Sequence, residues 1–409
     1  MRIIAELHSH SSYANACSDR LNLENIEISA SKKGIDVVST GDFTHPSWIK
    51  LLEEKLEEYS KGIYTVKGSK TGIKFVIGGE VNCSYIKDGK ARSVHVCVIA
   101  EDIGTARQII DLLSKYGELK SDGRPTLRIS LPEFVEKIRS VSKKSLIFPA
   151  HIWTPWYGVL GSFSGFNSIA EAFEDKKDEI NAIETGLSSD PEMNWMVSEL
   201  DKYAIISGGD AHSPEKIGRE LTALSVADIS YDEIFDSIRK KRIEFTIEFY
   251  PEEGKYHYDG HRKCGISVNP EEHSGSICPK CKRGLTIGVL HRVMELADRK
   301  RGYMPKGAAP FFKTIPLYEV IALAYRKSEN SSFVKEKYMG LVEKLGKEVD
   351  ILLKLGEKEI SEYDPIIAKS IKNIREGKVK ITPGYDGVFG KIELNESERG
   401  KEGQLKLFD

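Results

Sequence analysis

The sequence predicts an α/β protein in which a parallel sheet or barrel wrapped by helices gives way to a small metal-binding module and then to an α-helical C-terminal domain. Three observations lead there. Up to residue 246, short apolar runs alternate with amphipathic segments. From residue 247 to 288 the chain is rich in Gly, His, Cys and charge, and beyond it the pattern is helical to residue 395. Residues 396–409, "ESERGKEGQLKLFD", read as a solvated tail.

The expected strands are "DVVSTGDF", "KFVIGGE", "VHVCVIA", "LIFPAH", "NAIETG" and "AIISGGDAH". The expected helices between them are "LENIEISASKKG", "SWIKLLEEKLEEYSKG", "ARQIIDLLSKYG", "LPEFVEKIRSVS", "PEMNWMVSELDK" and "YDEIFDSIRKKR". Ser130 and Glu133 have capping-box spacing. Later helices are expected in "HRVMELADRK", "IPLYEVIALAYRK", "VKEKYMGLVEKLGKEVDILLKL" and "DPIIAKSIKNIREGK", followed by strand-and-turn structure in "KVKITPGYDGVFGKIEL".

With 409 residues and 40% hydrophobic content, the chain can bury a full core and fill two or three domains. Its 60 basic and 62 acidic residues leave a formal charge of −2, so any grip on nucleic acid must come from local basic patches. No apolar run reaches the ~18 residues of a membrane span. The N-terminus enters a strand at once, without a signal-peptide pattern. Three of the six cysteines cluster late and three are scattered, which fits a reduced, metal-using, cytoplasmic protein.

Metal-type residues recur at the ends of the strand-like runs: His8, His10, Asp42, His45, Glu80, His95, His151, Asp210 and His212. Residues i and i+2 of a strand share a face, so His8 and His10 can grip one ion together, as can Asp210 and His212. Imidazole nitrogen with carboxylate oxygen suits zinc, manganese or iron, and the carboxylates also admit magnesium. A glutamate such as Glu80 can bridge two ions. Such a centre activates water and stabilises a leaving oxygen.

The motifs "HSH", "GDFTH", "GGE", "VHV", "PAH" and "DAH" resemble those of the PHP (polymerase and histidinol phosphatase) superfamily. The resemblance implies a distorted barrel of about seven β/α units with two or three divalent ions (Zn, Mg or Mn). It places His8, His10, Glu80 and Asp210 on a first ion and Glu80, His95 and His151 on a second. His212 and His45, with Asp19 or Asp42, would hold a third. Glu80, His151, Asp210 and His212 are the expected catalytic residues. The pattern departs from the superfamily at position 16, which is alanine, and at Gly41–His45, where "TDH" is more common.

Cys264 and the Cys278-Pro-Lys-Cys281 turn form a zinc pattern. His261, three residues before Cys264, completes a four-ligand set, and His257 and His273 compete for that place. A closed set implies a structural zinc that holds a module too small to fold alone.

The order of catalytic domain, zinc ribbon and helical region is similar to the endonuclease Q family, through "GDFTHPSW", "PAHIWTPWYG", "IETGLSSDPEMNW", "SGGDAHSP", "HYDGHRKCG", "CPKC", "LHRVMELADR" and "VKITPGYDGVFG". The resemblance implies a metal-dependent DNA repair endonuclease that nicks 5′ of deaminated bases (uracil, hypoxanthine, xanthine) or abasic sites, in double- or single-stranded DNA. An enzyme that judges a base unstacks it into a pocket. Trp153, Trp156, Tyr157, Phe163 and Phe166, close after His151, could stack on it or pack the barrel mouth. Basic clusters at Lys240, Lys241 and Arg242, and at Arg299, Lys300 and Arg301 with Lys306 and Lys313, are candidates for phosphate contact. Gln404, Leu407 and Phe408 partly resemble a sliding-clamp-binding motif without its final aromatic pair. The alternatives are a phosphomonoesterase, which would need neither ribbon nor helical extension, and a non-catalytic DNA-binding scaffold.

Overall fold

The computed structural model describes residues 1–273 and 275–394; the tail with Gln404, Leu407 and Phe408 lies outside the described residues. Strand β1 (Arg2–Glu6) pairs in parallel with β2 (Val37–Ser39), and β2 in parallel with β3 (Lys74–Lys87). Strand β3 returns as antiparallel β4 (Lys90–Ala100), which pairs antiparallel with β5 (Leu146–Pro149). Strands β6 (Ala182–Glu184) and β7 (Ala204–Ile206) form a separate parallel pair. Beyond β1 lie antiparallel β8 (Leu221–Ser225), then β9 (Ile243–Glu248) antiparallel to β8, then β10 (Phe311–Lys313) parallel to β9.

Isolated main-chain hydrogen bonds join the two-stranded pair to its neighbours. Asn181 N–H donates to the Ile147 carbonyl at 3.0 Å, and Ile152 N–H to Glu184 at 3.1 Å. On the other side Asp210 N–H donates to the His8 carbonyl at 3.1 Å. A circuit from β1 through β7 and back to β1 results.

The sheet is mixed, where the β-then-α order predicted a parallel one. The reason is the two-residue turn Asp88–Gly89, whose φ values of +53° and +74° are both in the left-handed region. Such turns match the twist of a hairpin, and Asp-Gly is a preferred pair for them. The chain therefore reverses between β3 and β4 instead of crossing over.

Most expected helices form. Leu23–Lys33 starts at Asn22, whose side chain accepts from Asn25 N–H, and ends at Gly34. Leu131–Val141 is capped by Ser130, which accepts from Glu133 N–H. The Glu133 carboxylate instead accepts from Tyr116 Oη at 3.1 Å.

Three expected helices differ. The segment 47–62 is a helix only over Pro46–Lys55; Leu56–Ser60 and Ile63–Val66 form a hairpin that extends the sheet. Strand pairing there overrides the helical propensity of Leu, Glu and Lys. Residues 191–202 form a short helix, Pro191–Asn194, and a 3₁₀ turn, Ser198–Lys202. The expected helix over 334–355 is two, Ser332–Leu345 and Glu348–Leu353.

The C-terminal helices Leu317–Tyr325, Ser332–Leu345 and Pro365–Arg375 share a core with Phe249, Tyr250, Ile392 and Leu394. Helix Val289–Leu296 instead buries Val289, Leu290 and Val293 in the core of the first sheet. Its Arg292 pins the Gly-rich loop after β5, donating to the carbonyls of Leu160 (3.1 Å) and Phe166 (2.9 Å) and to Asn167 Oδ1 (2.8 Å). Among the described residues no helix is long and apolar enough to cross a membrane.

Trp153 is fully buried beneath this loop, with its indole N–H donating to Asn194 Oδ1 at 2.8 Å. Truncating it leaves both a cavity and an unpaired amide. Trp153→Ala is expected to lower stability by about 3–5 kcal/mol in urea unfolding.

Candidate metal centre

Metal-type side chains converge from the middle of β3 and β4 and from the ends of β1, β5 and β7. Four of them, His8, His10, Glu80 and Asp210, each place one ligand atom within 4.8 Å of the others. Glu80, His95 and His151 make a second such group, so Glu80 belongs to both. Glu80 and His95 stand inside the long β3–β4 hairpin, while the others follow strand ends. Glu80 Oε1 lies 2.8 Å from His95 Nδ1 and 3.2 Å from His151 Nε2. Its Oε2 lies 3.5 Å from His10 Nε2 and 3.7 Å from His8 Nε2.

The residues fit divalent ions by their unmet valence. His8 Nε2, His10 Nε2 and Asp210 Oδ1 are buried atoms with no hydrogen-bond partner among the described residues. His10 Nε2 is 2.9 Å from Asp210 Oδ1 but not aligned with it as a hydrogen bond. Orphaned buried polar atoms are rare in native proteins, and several aimed at one point mark a ligand. Burial would raise the Glu80 carboxyl, but the surrounding imidazoles hold it well below the usual carboxylate range. Burial lowers His95 to about 4.

Two further carboxylates orient the histidines. The Glu184 oxygens lie 2.9 and 3.0 Å from His8 Nδ1, and Asp42 Oδ1 lies 2.8 Å from His10 Nδ1. A carboxylate on the second ring nitrogen fixes the tautomer and turns Nε2 toward the metal. Glu184 also accepts from the His151 N–H at 2.7 Å. Sequence reasoning placed Glu184 in a strand, "NAIETG", and missed this role; its position at a strand end, like the ligands, was the available signal. Arg124, also missed, brings Nη1 to 3.3 Å from Glu80 Oε2.

The backbone at these positions is strained. Asp42, His151 and Asp210 have φ of +49°, +31° and +44°. Non-glycine residues held there cluster at functional sites. Gly186, at the end of the "IETG" motif, lets His151 close in: a Cβ there would lie 2.4 Å from the His151 Cβ.

The residues expected on a third ion are not assembled. His45 caps helix Pro46–Lys55, with Nδ1 accepting from Ser47 N–H at 3.3 Å and Nε2 3.2 Å from the Lys120 carbonyl. Both its nitrogens are engaged. Asp42 has both oxygens occupied, by His10 and by Ser11 N–H and Oγ. Asp19 is exposed and outside the groups that can hold an ion. His212 is at the rim, 34% exposed, with its ring 5.1 Å from that of His10.

A separate group joins His261, Cys264, Cys278 and Cys281. His261 is therefore the histidine brought to the thiols, and His257 and His273 are not. The knuckle is set by Cys278 N–H donating to the Arg283 carbonyl at 2.7 Å and Lys282 N–H to Cys278 at 2.9 Å. Burial would raise the Cys278 thiol, but the amides of Cys281 and Lys280 bring it down to about 6. A thiol in that range is the thiolate that binds zinc.

A crystal structure of the lesion-specific endonuclease PfuEndoQ from Pyrococcus furiosus superposes with a TM-score of 0.86 and is 30% identical, covering 97% of this chain and 96% of that one. The chain belongs to the endonuclease Q family. A second solved structure, endonuclease Q with a 27-mer duplex substrate carrying an abasic lesion at the active site, is 29% identical with a TM-score of 0.86, covering 97% of this chain and 98% of that one. The family model described as the MJ0043 C-terminal domain matches residues 316–378. MJ0043 of Methanocaldococcus jannaschii is 33% identical over 251 residues, a match that spans 59% of this chain and 31% of that protein.

In this endonuclease Q family member the aromatics after His151 divide into two sets. Trp153 and Phe166 are core residues. Trp156, Tyr157 and Phe163 are 38%, 44% and 52% exposed beside the metal-type groups. Tyr157 stacks on His95 with centroids 4.3 Å apart, and Trp156 stacks on Phe163 at 4.7 Å. The basic clusters are largely paired: Lys240 with Asp236, Arg242 with Glu233, Arg299 with Asp201, Arg301 with Glu271, and Lys313 with Asp190. They are weaker phosphate candidates than their charge suggests.

Two measurements probe these groups. Cys281→Ser is expected to lower zinc content by one equivalent in elemental analysis, while His257→Ala and His273→Ala leave it unchanged. Glu184→Gln, which weakens the hold on His8, is expected to reduce metal affinity at the main centre about 10–100-fold by competition with a chromophoric chelator.

Proposed function

We propose that this protein is a metal-dependent DNA repair endonuclease that nicks the phosphodiester 5′ of deaminated bases or abasic sites. The observation that carries the reading is the pair of metal-type groups sharing Glu80, in a chain similar over nearly its whole length to an endonuclease holding an abasic lesion at its active site.

His8, His10, Glu80 and Asp210 would hold one divalent ion, and Glu80, His95 and His151 a second. Zinc, manganese or magnesium bound there would supply activated water, charge neutralisation at phosphate and stabilisation of the leaving 3′ oxygen. The protein's own contribution is orientation. Glu184 and Asp42 hold two imidazoles in register, and Arg124 sets one oxygen of Glu80. His212 donates from Nδ1 to the Asp210 carbonyl at 2.7 Å, which leaves Nε2 with its lone pair. At the rim, that nitrogen can complete an ion's shell or take a proton from water. Trp156, Tyr157 and Phe163 offer ring faces on which an unstacked base or its neighbour rests.

The circuit of strands β1 to β7 supports reading the first part as a distorted (β/α)7 barrel of the PHP type. We divide the chain into a catalytic domain over 1–246, a zinc module over 247–288 held by His261, Cys264, Cys278 and Cys281, a helical domain over 289–395 and a tail over 396–409. The tail carries Gln404, Leu407 and Phe408 as a candidate contact for a sliding clamp.

The test is a nicking assay on an end-labelled duplex with one deoxyuridine, deoxyinosine or abasic site, using protein reloaded with Mg²⁺, Mn²⁺ or Zn²⁺. One metal-dependent cut 5′ of the lesion is expected, and Asp210→Asn is expected to slow it at least about 100-fold, the scale of losing a group that acts on the reacting phosphate. Phosphate release from small monoesters without any cut would move the protein to the phosphatase reading. Lesion binding undiminished by chelation, again without cutting, would make it a scaffold.

A further inference from the structure

Among the described residues strand β7 leaves one edge unpaired by any strand, because its ladder runs only to β6. Between that edge and the first residues of β9 lies a cavity of about 350 Å³. It sits at the N-terminal ends of these strands, whereas the metal-type residues follow the C-terminal end of β7. None of its lining residues belongs to either metal group.

The lining has a consistent chemistry. Trp195, Tyr203 and Tyr303 supply aromatic surface, with Ala308 and the backbone of Ala204 and Ile205 between them. Lys241 and Lys306 supply positive charge. Lys241 is held in the left-handed region, φ +54°, and its ammonium donates to the Asp201 carbonyl. Lys306 is exposed and has no ion pair among the described residues. Asp201, the one carboxylate on the wall among the described residues, is neutralised by Arg299, whose two terminal nitrogens lie 3.0 and 2.7 Å from its oxygens. The same guanidinium sits 4.3 Å from the centre of the Tyr303 ring and so fixes that wall. A mostly apolar, aromatic-walled cavity of a few hundred Å³ with a few placed polar groups is the usual form of a small-molecule site. Here those groups are cationic, so the fitting molecule has a flat apolar part and a negative end.

We propose that this cavity is a second binding site, separate from the metal centre, that takes a free nucleoside 5′-monophosphate. The base lies against Trp195 and Tyr303, and the phosphate meets Lys241 and Lys306. The mouth is bounded by the loop Tyr303–Ala309, which also carries Lys306 and Ala308.

The test is calorimetric titration of the full-length protein with 5′-dAMP. Saturable binding is expected for the wild type and, with unchanged affinity, for Asp210→Asn, which disables the metal centre. Lys306→Ala, which removes charge, and Ala308→Leu, which fills the cavity, are each expected to weaken binding about tenfold or more. Both lie on a surface loop, and unchanged melting temperatures would show that the fold is kept. Deoxyadenosine, without the phosphate, should bind more weakly than dAMP. The proposal is overturned if dAMP gives no saturable heat, if either wall variant binds as the wild type does, or if Asp210→Asn abolishes binding.

Discussion

One carboxylate organises the centre. Glu80 lies midway along the longest strand, fully buried, with ring nitrogens of His8, His10, His95 and His151 within 3.7 Å of its oxygens. A buried charge without compensation is costly, and here four imidazoles and the Arg124 guanidinium gather around it. The arrangement makes physical sense as a bridge between cations. Everything around it serves to bring five chain segments, distant in sequence, to the same point. The hairpin turn at Asp88–Gly89 sets Glu80 beside His95, and the strained backbone at His151 and Asp210 turns their side chains inward.

The later part of the chain braces the first. Arg292 ties the helix Val289–Leu296 to the loop that follows β5, and so holds the aromatic rim. The "GYDG" turn near the end of the described chain braces the zinc module. Its Asp386 accepts from Arg262 N–H and Thr286 Oγ1, both at 2.6 Å. The Tyr385 ring fills the space beside Gly260, where a Cβ would lie 2.4 Å from it. The strand-and-turn segment after the last helix therefore supports the zinc module.

Much of this was legible in the sequence because it depends on local pattern. Each ligand group follows or interrupts an apolar run, and the Cys-x₂-Cys spacing is itself a turn geometry. What escaped depends on partners far away. Glu184 looks like any strand-end carboxylate until His8 is placed against it, 176 residues distant. His45 looked like a ligand because the motif around it resembles one, but helix capping uses one of its nitrogens and Lys120 the other. Arg299 and Lys313 read as free charges until Asp201 and Asp190 were brought to them. The antiparallel hairpin was a different case, since its Asp-Gly signal is local and stood in the sequence unread.

Among the described residues no ladder joins the β6–β7 pair to the rest of the ring; isolated main-chain bonds hold it, together with buried side-chain bonds that link Thr185 and Ser207 to Thr222 and Glu248. His151 and Asp210 stand on its two borders, and ions shared with Glu80 would span it from both sides. The cations would then be a clasp as well as a reagent, joining strands that no ladder joins.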